Sequence, residues 1–178
     1  MVLVTKIRNN RSKKLQELHK DILDIIGGVI NDEDFKKLKS HRHHVFFNRY
    51  EHLINASIIA HKISKFLKAD VHSCTLAGIL HDYHFTKFKG YKHGLEAAKN
   101  AEKFNVNEKV LEIIKCHMYP FGRSKIPRHK GIDFWVVKSA DFLSMCYEIG
   151  YSILFLSFKG KNKIKLKKNR LLLDLLEK

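Results

Sequence analysis

Apolar residues recur along this chain at helical spacing, and no stretch alternates apolar and polar positions between turn signals. The first constraint is therefore an all-α fold. Leu15, Leu18, Ile22, Ile25 and Ile26 share one face of a first helix, and Gly27-Gly28 stands where that helix would weaken or end. A second helical piece, about 32–39, has Asn31 as its expected N-cap, and the cluster His41, Arg42, His43, His44 after it reads as a loop. From about 47 to 67, Ile54, Ile58, Ala60, Ile63, Phe66 and Leu67 describe a long buried helix. Asp70 caps the next, which carries Cys74, Ala77 and Gly78 up to His81-Asp82. Further helices are expected over about 94–104, over 108–117 behind Asn107 as N-cap, and over 132–158, which carries Trp135, Val136, Ala140, Leu143 and Cys146.

The length of 178 residues, 44% of them hydrophobic and only two of them proline, fits a single globular unit and excludes a disordered or collagen-like chain. No internal repeat and no dividing linker is present. A formal net charge of +16 points to an anionic substrate or partner, with phosphate first among them. Cys74, Cys116 and Cys146 are widely spaced and form no Cys-x-x-Cys pair, which suits a reducing cytoplasm. The first ten residues hold too short an apolar run for a signal peptide. The longest apolar stretch, Ile149 to Phe158 between Glu148 and Lys159, is about half of a bilayer span and reads as a core helix. Attachment to a membrane surface would need an exposed apolar face, which a buried helix does not provide. The tail from Lys159 to Arg170 has seven basic residues and no aromatic, so it lacks the stacking groups of a single-strand nucleic-acid platform.

Twelve histidines raise the question of which converge. Asp141 has Phe134, Val137 and Met145 one and two turns away, so it points into the core. A buried carboxylate there needs a cation, either a basic side chain or a metal ion. His117 lies on a face with Val110, Ile113 and Ile114, which fits a satisfied core histidine or a ligand. His81 and Asp82 follow the small residues Cys74, Ala77 and Gly78, which leave room for an ion beside the helix end. An imidazole nitrogen and a carboxylate in sequence can hold one ion or bridge two.

These residues, in the order His52, His81-Asp82, Asp141, resemble the HD-domain metal-dependent phosphohydrolases. The local contexts are Arg49-Tyr50-Glu51-His52, Ala77-Gly78-Ile79-Leu80-His81-Asp82 and Lys138-Ser139-Ala140-Asp141. The resemblance covers about 46–148 and is nearest to small bacterial HD proteins of unassigned activity. The HD-type diadenosine tetraphosphatases are similar in their Tyr-Glu-His opening and His-Asp-Tyr turn. The Gly-Tyr-Pro signature of the cyclic-di-GMP phosphodiesterase branch is replaced here by Met118-Tyr119-Pro120-Phe121-Gly122.

The resemblance implies an HD helical bundle, taken over 46–158, and leaves an N-terminal helical extension over 1–45 and a basic, helical C-terminal tail over 159–178 unaccounted for. It implies that His52, His81, Asp82 and Asp141 hold a divalent ion that activates water for attack on phosphorus. Members with two further histidines bind a second ion, and His93 and His117 stand in the corresponding interval, with Asp82 as the expected bridge. Lys87, Arg123 and Arg128 are candidates for stabilising phosphate charge, Lys87 as a catalytic group; the last two lie in a loop, 119–130, that holds both prolines. His84 is either a proton donor to the leaving group or a loop residue. Manganese or iron suits the mixed ligand set best, with zinc, cobalt and nickel also compatible. The expected activity is hydrolysis of a nucleotide-like phosphoester or phosphoanhydride, and the alternative is a non-catalytic module that binds a metal or nucleotide.

Overall fold

Caps and turns divide the described residues into seven helices. In the computed structural model, residues 2–44, 46–85, 92–120, 126 and 131–158 are described. Helix α1 (Val2–Ile30) runs straight through Gly27 and Gly28, correcting the expected break. Ile22, Ile26, Val29 and Ile30 anchor α1 in the core, so packing outweighs the entropic cost of the glycines. Helix α2 (Glu33–Lys37) is capped by Asp32 rather than Asn31, with the Asp32 carboxylate accepting from Phe35 N at 2.9 Å. A 3₁₀ turn (Leu38–Ser40) then leads to two short antiparallel strands, β1 (Arg42–His44) and β2 (Phe47–Asn48), with Arg42 opposite Asn48. The histidine cluster read as a loop is thus largely a strand.

Helix α3 (Arg49–Leu67) opens with a reciprocal cap: the Asn48 side chain accepts from Glu51 N at 2.8 Å, and Glu51 Oε2 accepts from Asn48 N at 3.1 Å. It ends at Lys68, whose φ of 55° is left-handed. Helix α4 (Val71–Leu80) is capped by Asp70 and helix α6 (Glu108–Cys116) by Asn107, both as expected from sequence. Helix α5 (His93–Ala101) precedes α6, and α7 (Ile132–Phe158) closes the described fold.

Helix α3 packs along both α4 and α7, α5 pairs with α6, and α1 lies against α4. The α3–α4 approach is close because Gly78 lies over Ser57, where an added Cβ would stand 3.0 Å from the Ser57 Cα. Two expectations fail at the surface. Phe66 and Leu67 are exposed, because they fall in the last turn of α3 beyond the reach of its neighbours. On α7, Trp135, Leu143, Cys146, Ile149, Ile153, Leu154 and Leu156 are exposed, whereas Ser144, Glu148 and Ser152 are buried. The segment from Ile149 onwards is helical but is not a core helix. Its buried positions are the polar Glu148 and Ser152, and Ile149, Ile153, Leu154 and Leu156 are exposed.

Candidate metal centre

Four helix ends and the middle of α7 meet at one place. His52 sits in the first turn of α3, His81 is the residue after α4, His93 opens α5, His117 follows α6, and Asp141 lies midway along α7. His52 Nε2 lies 3.4 Å and His81 Nε2 3.5 Å from the same Asp141 oxygen. Asp82 Oδ1 lies 3.0 Å from His93 Nε2 and 3.4 Å from His117 Nε2, and those two nitrogens are 2.9 Å apart. Two triads result, His52/His81/Asp141 and Asp82/His93/His117. The His81–Asp82 peptide joins them, and the His81 ring touches both the His52 ring (5.4 Å between centroids) and the His117 ring (5.2 Å).

The donor set fits a divalent ion. Ligand atoms about 2.1 Å from one ion stand about 3.0–3.4 Å from one another in octahedral or tetrahedral order, which is the spacing found here. His81 Nε2 and Asp82 Oδ1 are buried without a hydrogen-bond partner of acceptable direction, although other ligand atoms stand beside them. Buried polar atoms in that condition are what an ion satisfies.

Three of the rings are aimed from behind. His81 Nδ1 donates to Gly78 O (2.9 Å) and His117 Nδ1 to Ile114 O (2.7 Å), so both Nε2 atoms face the cluster. His52 Nδ1 meets both oxygens of Glu148 at 3.1 and 3.2 Å. That carboxylate is fully buried and also accepts from Ser144 Oγ (2.9 Å) and Asn55 Nδ2 (3.1 Å).

The electrostatics keep the carboxylates ionised. Burial pushes the Asp82 carboxyl up, but His117, His93 and His81 outweigh it and hold it well below its ordinary value. Burial likewise opposes Asp141, and the charges of His81 and His52 bring it far down. For His52, burial lowers the pKa, yet Asp141 and Glu148 raise it to about 10. His117 is lowered, chiefly by burial.

All six expected ligands therefore come together. Asp141 is less buried than its apolar neighbours implied, with 26% of its side chain accessible, because it faces the His52 and His81 rings rather than the packed core. His84 is buried beside His93, with ring centroids 5.2 Å apart, and burial followed by the Arg49 charge lowers its pKa to about 4. Lys87, Arg123 and Arg128 lie outside the described residues.

Four further residues were not read from sequence as part of the site. The His43 ring lies 4.2 Å from that of His52, and His43, His52 and Asp82 form a third ligand group. Glu148 stands seven residues after Asp141, hence on nearly the same face of α7, and that spacing was a usable signal. Arg49 is buried, donates from Nη1 to His84 O (2.5 Å), and lies in the field of Asp82. Lys138 precedes Asp141 by one turn; burial lowers its pKa, against the opposing pull of Asp141 and Asp82. Both cations occur in the segments quoted around His52 and Asp141, one turn before each ligand.

A family model described as HD domain matches residues 49–145, a span that contains all six expected ligands. Comparison with curated proteins and with solved structures gives no match. The match covers more than half of the chain, and its fold and His/Asp clusters agree with it: the chain belongs to the HD domain family, a superfamily of metal-dependent phosphohydrolases.

Proposed function

We propose that this chain hydrolyses a phosphoester or phosphoanhydride bond of a small nucleotide-like substrate with one or two divalent transition ions, manganese or iron foremost. The observation that carries this reading is the joining of two ligand triads through the His81–Asp82 peptide. His52, His81 and Asp141 would hold one ion, and Asp82, His93 and His117 would hold a second. A bound divalent ion lowers the pKa of water and draws charge from a phosphate oxygen.

The chain's own groups do the rest. Glu148 fixes the His52 ring, and the Gly78 and Ile114 carbonyls fix His81 and His117. Arg49 and Lys138 supply positive charge beside the carboxylates, where it balances the negative charge of a phosphate. Lys87, Arg123 and Arg128 remain proposed as further phosphate contacts on their sequence positions alone. A buried, neutral His84 is suited to positioning rather than to carrying a proton at neutral pH.

The test is Asp82→Ala assayed against a panel of nucleotides, dinucleoside polyphosphates and simple phosphoesters. Turnover falls by about a thousandfold or more, as expected when charge stabilisation and water activation are both lost, and metal content falls while helical circular dichroism is kept. Wild-type turnover in the variant contradicts the assignment. A metal-loaded wild-type protein inert across the panel favours the non-catalytic binding module.

A further inference from the structure

The second half of α7 is built inside out, with Ser144, Glu148 and Ser152 buried and Phe142, Leu143, Ile149, Ile153, Leu154 and Leu156 exposed. Trp135, Phe142, Ile149 and Leu156 recur every seventh residue, so the exposed stripe extends for roughly 30 Å along the helix. The charged residues of α7 are Asp133, Lys138, Asp141 and Glu148, and all of them belong to the inner or site-facing side. The exposed side therefore carries no charge among the described residues, in a chain with 34 Lys and Arg. Phe142 and Ile153 are 57% and 59% accessible, and the whole stripe presents roughly 600 Å² of apolar surface, at the upper end for a monomer's largest patch.

The sequence that follows this uncharged stripe is rich in cations. Beyond Phe158 the sequence continues with Lys159, Lys161, Lys163, Lys165, Lys167, Lys168 and Arg170. At the other end, the Asp70 N to Asp133 Oδ1 contact (2.9 Å) places the start of α7 beside the end of α3. The last turn of α3 also exposes Phe66, 85% accessible, and Leu67, among Lys62, Lys68 and a Lys65 that is paired with Asp21.

We infer that α7 docks this protein on the surface of an anionic lipid bilayer, with its apolar stripe lying in the headgroup–acyl boundary and the lysines that follow it in the sequence drawn to the anionic lipids. The two parts act together, because an apolar face and a polybasic segment each give weak binding and jointly give stable attachment. Nucleic acid would call for cations on the stripe itself, and a second copy would bring two chains of +16 together. No helix among the described residues is long and apolar enough to cross a membrane, so the helix lies on the bilayer. Asp141 and Glu148 point to the other side of α7, which leaves the metal centre unaltered.

The molecule carries its own reporters, since Trp135 is the single tryptophan and Cys146 is an exposed thiol on the same stripe. The full chain is titrated with phosphatidylcholine vesicles with and without phosphatidylglycerol. With the anionic vesicles at low salt, Trp135 emission shifts to the blue and is quenched by brominated acyl chains, and Cys146 alkylation by a hydrophilic maleimide slows by about tenfold or more. The double variant Ile153→Asp, Leu156→Asp weakens vesicle binding by about tenfold or more, with helicity and metal content unchanged. Three results overturn the proposal. They are unaltered Trp135 emission and Cys146 alkylation in the wild type, vesicle binding by the double variant equal to wild type, and a wild-type dimer that the double variant dissolves.

Discussion

Glu148 shows how residues outside the ligand set shape the site. Its carboxylate accepts from His52 Nδ1 and is itself held by Ser144 and Asn55, which fixes the ring and raises the basicity of its other nitrogen. Glu148→Gln keeps the size of the side chain but removes its charge. Metal affinity, read by chelator competition, is expected to fall by about 10–100-fold with little change in helicity; unchanged affinity contradicts the role given to this carboxylate. Asp141, His117, His81 and Asp82 are legible because their own helical neighbours are apolar or small, whereas His52 and His93 are found only through the family resemblance. Glu148 was hidden because it borders the apolar run Ile149 to Phe158 and reads as that run's polar boundary. His43 was hidden because its approach to His52 depends on β1, and two-residue pairing leaves no periodic signal.

At the level of elements, side-chain caps were the most readable feature and apolar runs the least. Asp70 and Asn107 each accept from the backbone N–H three residues on, a contact that is wholly local. The Asp70 carboxyl is held down to about 2, first by the Ser73 backbone N–H and also by the Ser73 hydroxyl and Lys109 against an opposing effect of burial. Its folded pKa thus lies below its ordinary 3.8, so its stabilisation is present above about pH 4 and is lost as pH falls towards 2. Asp70→Ala is expected to lower stability by about 1 kcal/mol at neutral pH, with the difference from wild type in urea unfolding shrinking towards pH 2. A difference constant over that range contradicts the cap's ionic character.

The site makes a similar demand on an inter-element contact. At Gly94, beside His93, an added Cβ would stand 3.0 Å from Ile114 O and 3.1 Å from His117 Nδ1. Gly94→Val therefore forces α5 away from the end of α6 and separates His93 from His117. The expected result is loss of one bound ion while the ion at His52, His81 and Asp141 stays. Full metal content in a folded Gly94→Val protein contradicts the second triad. The sequence could not show this contact, because it joins segments whose approach only the tertiary fold determines. The same limit explains α7, where helical order was readable but the side that would be covered was not.

Across the whole molecule, α1 contributes Ile22, Ile26, Val29 and Ile30 to the core shared with α3, α4 and α6, so we read 1–45 as part of one folding unit with the HD domain. The all-α class followed from periodicity throughout, and the site followed from four separated motifs that the fold brings together. The net charge of +16 was legible as a preference for anions but not as a place, because its assignment depends on which faces the helices leave open. The central claim is that two adjoining triads hold divalent ions for phosphoryl hydrolysis. The most direct measurement is elemental analysis of the purified, untagged chain, before and after reconstitution with manganese or iron. The account predicts about two transition ions per chain, as a pair of adjoining metal sites requires. No bound ion, even after reconstitution, contradicts it.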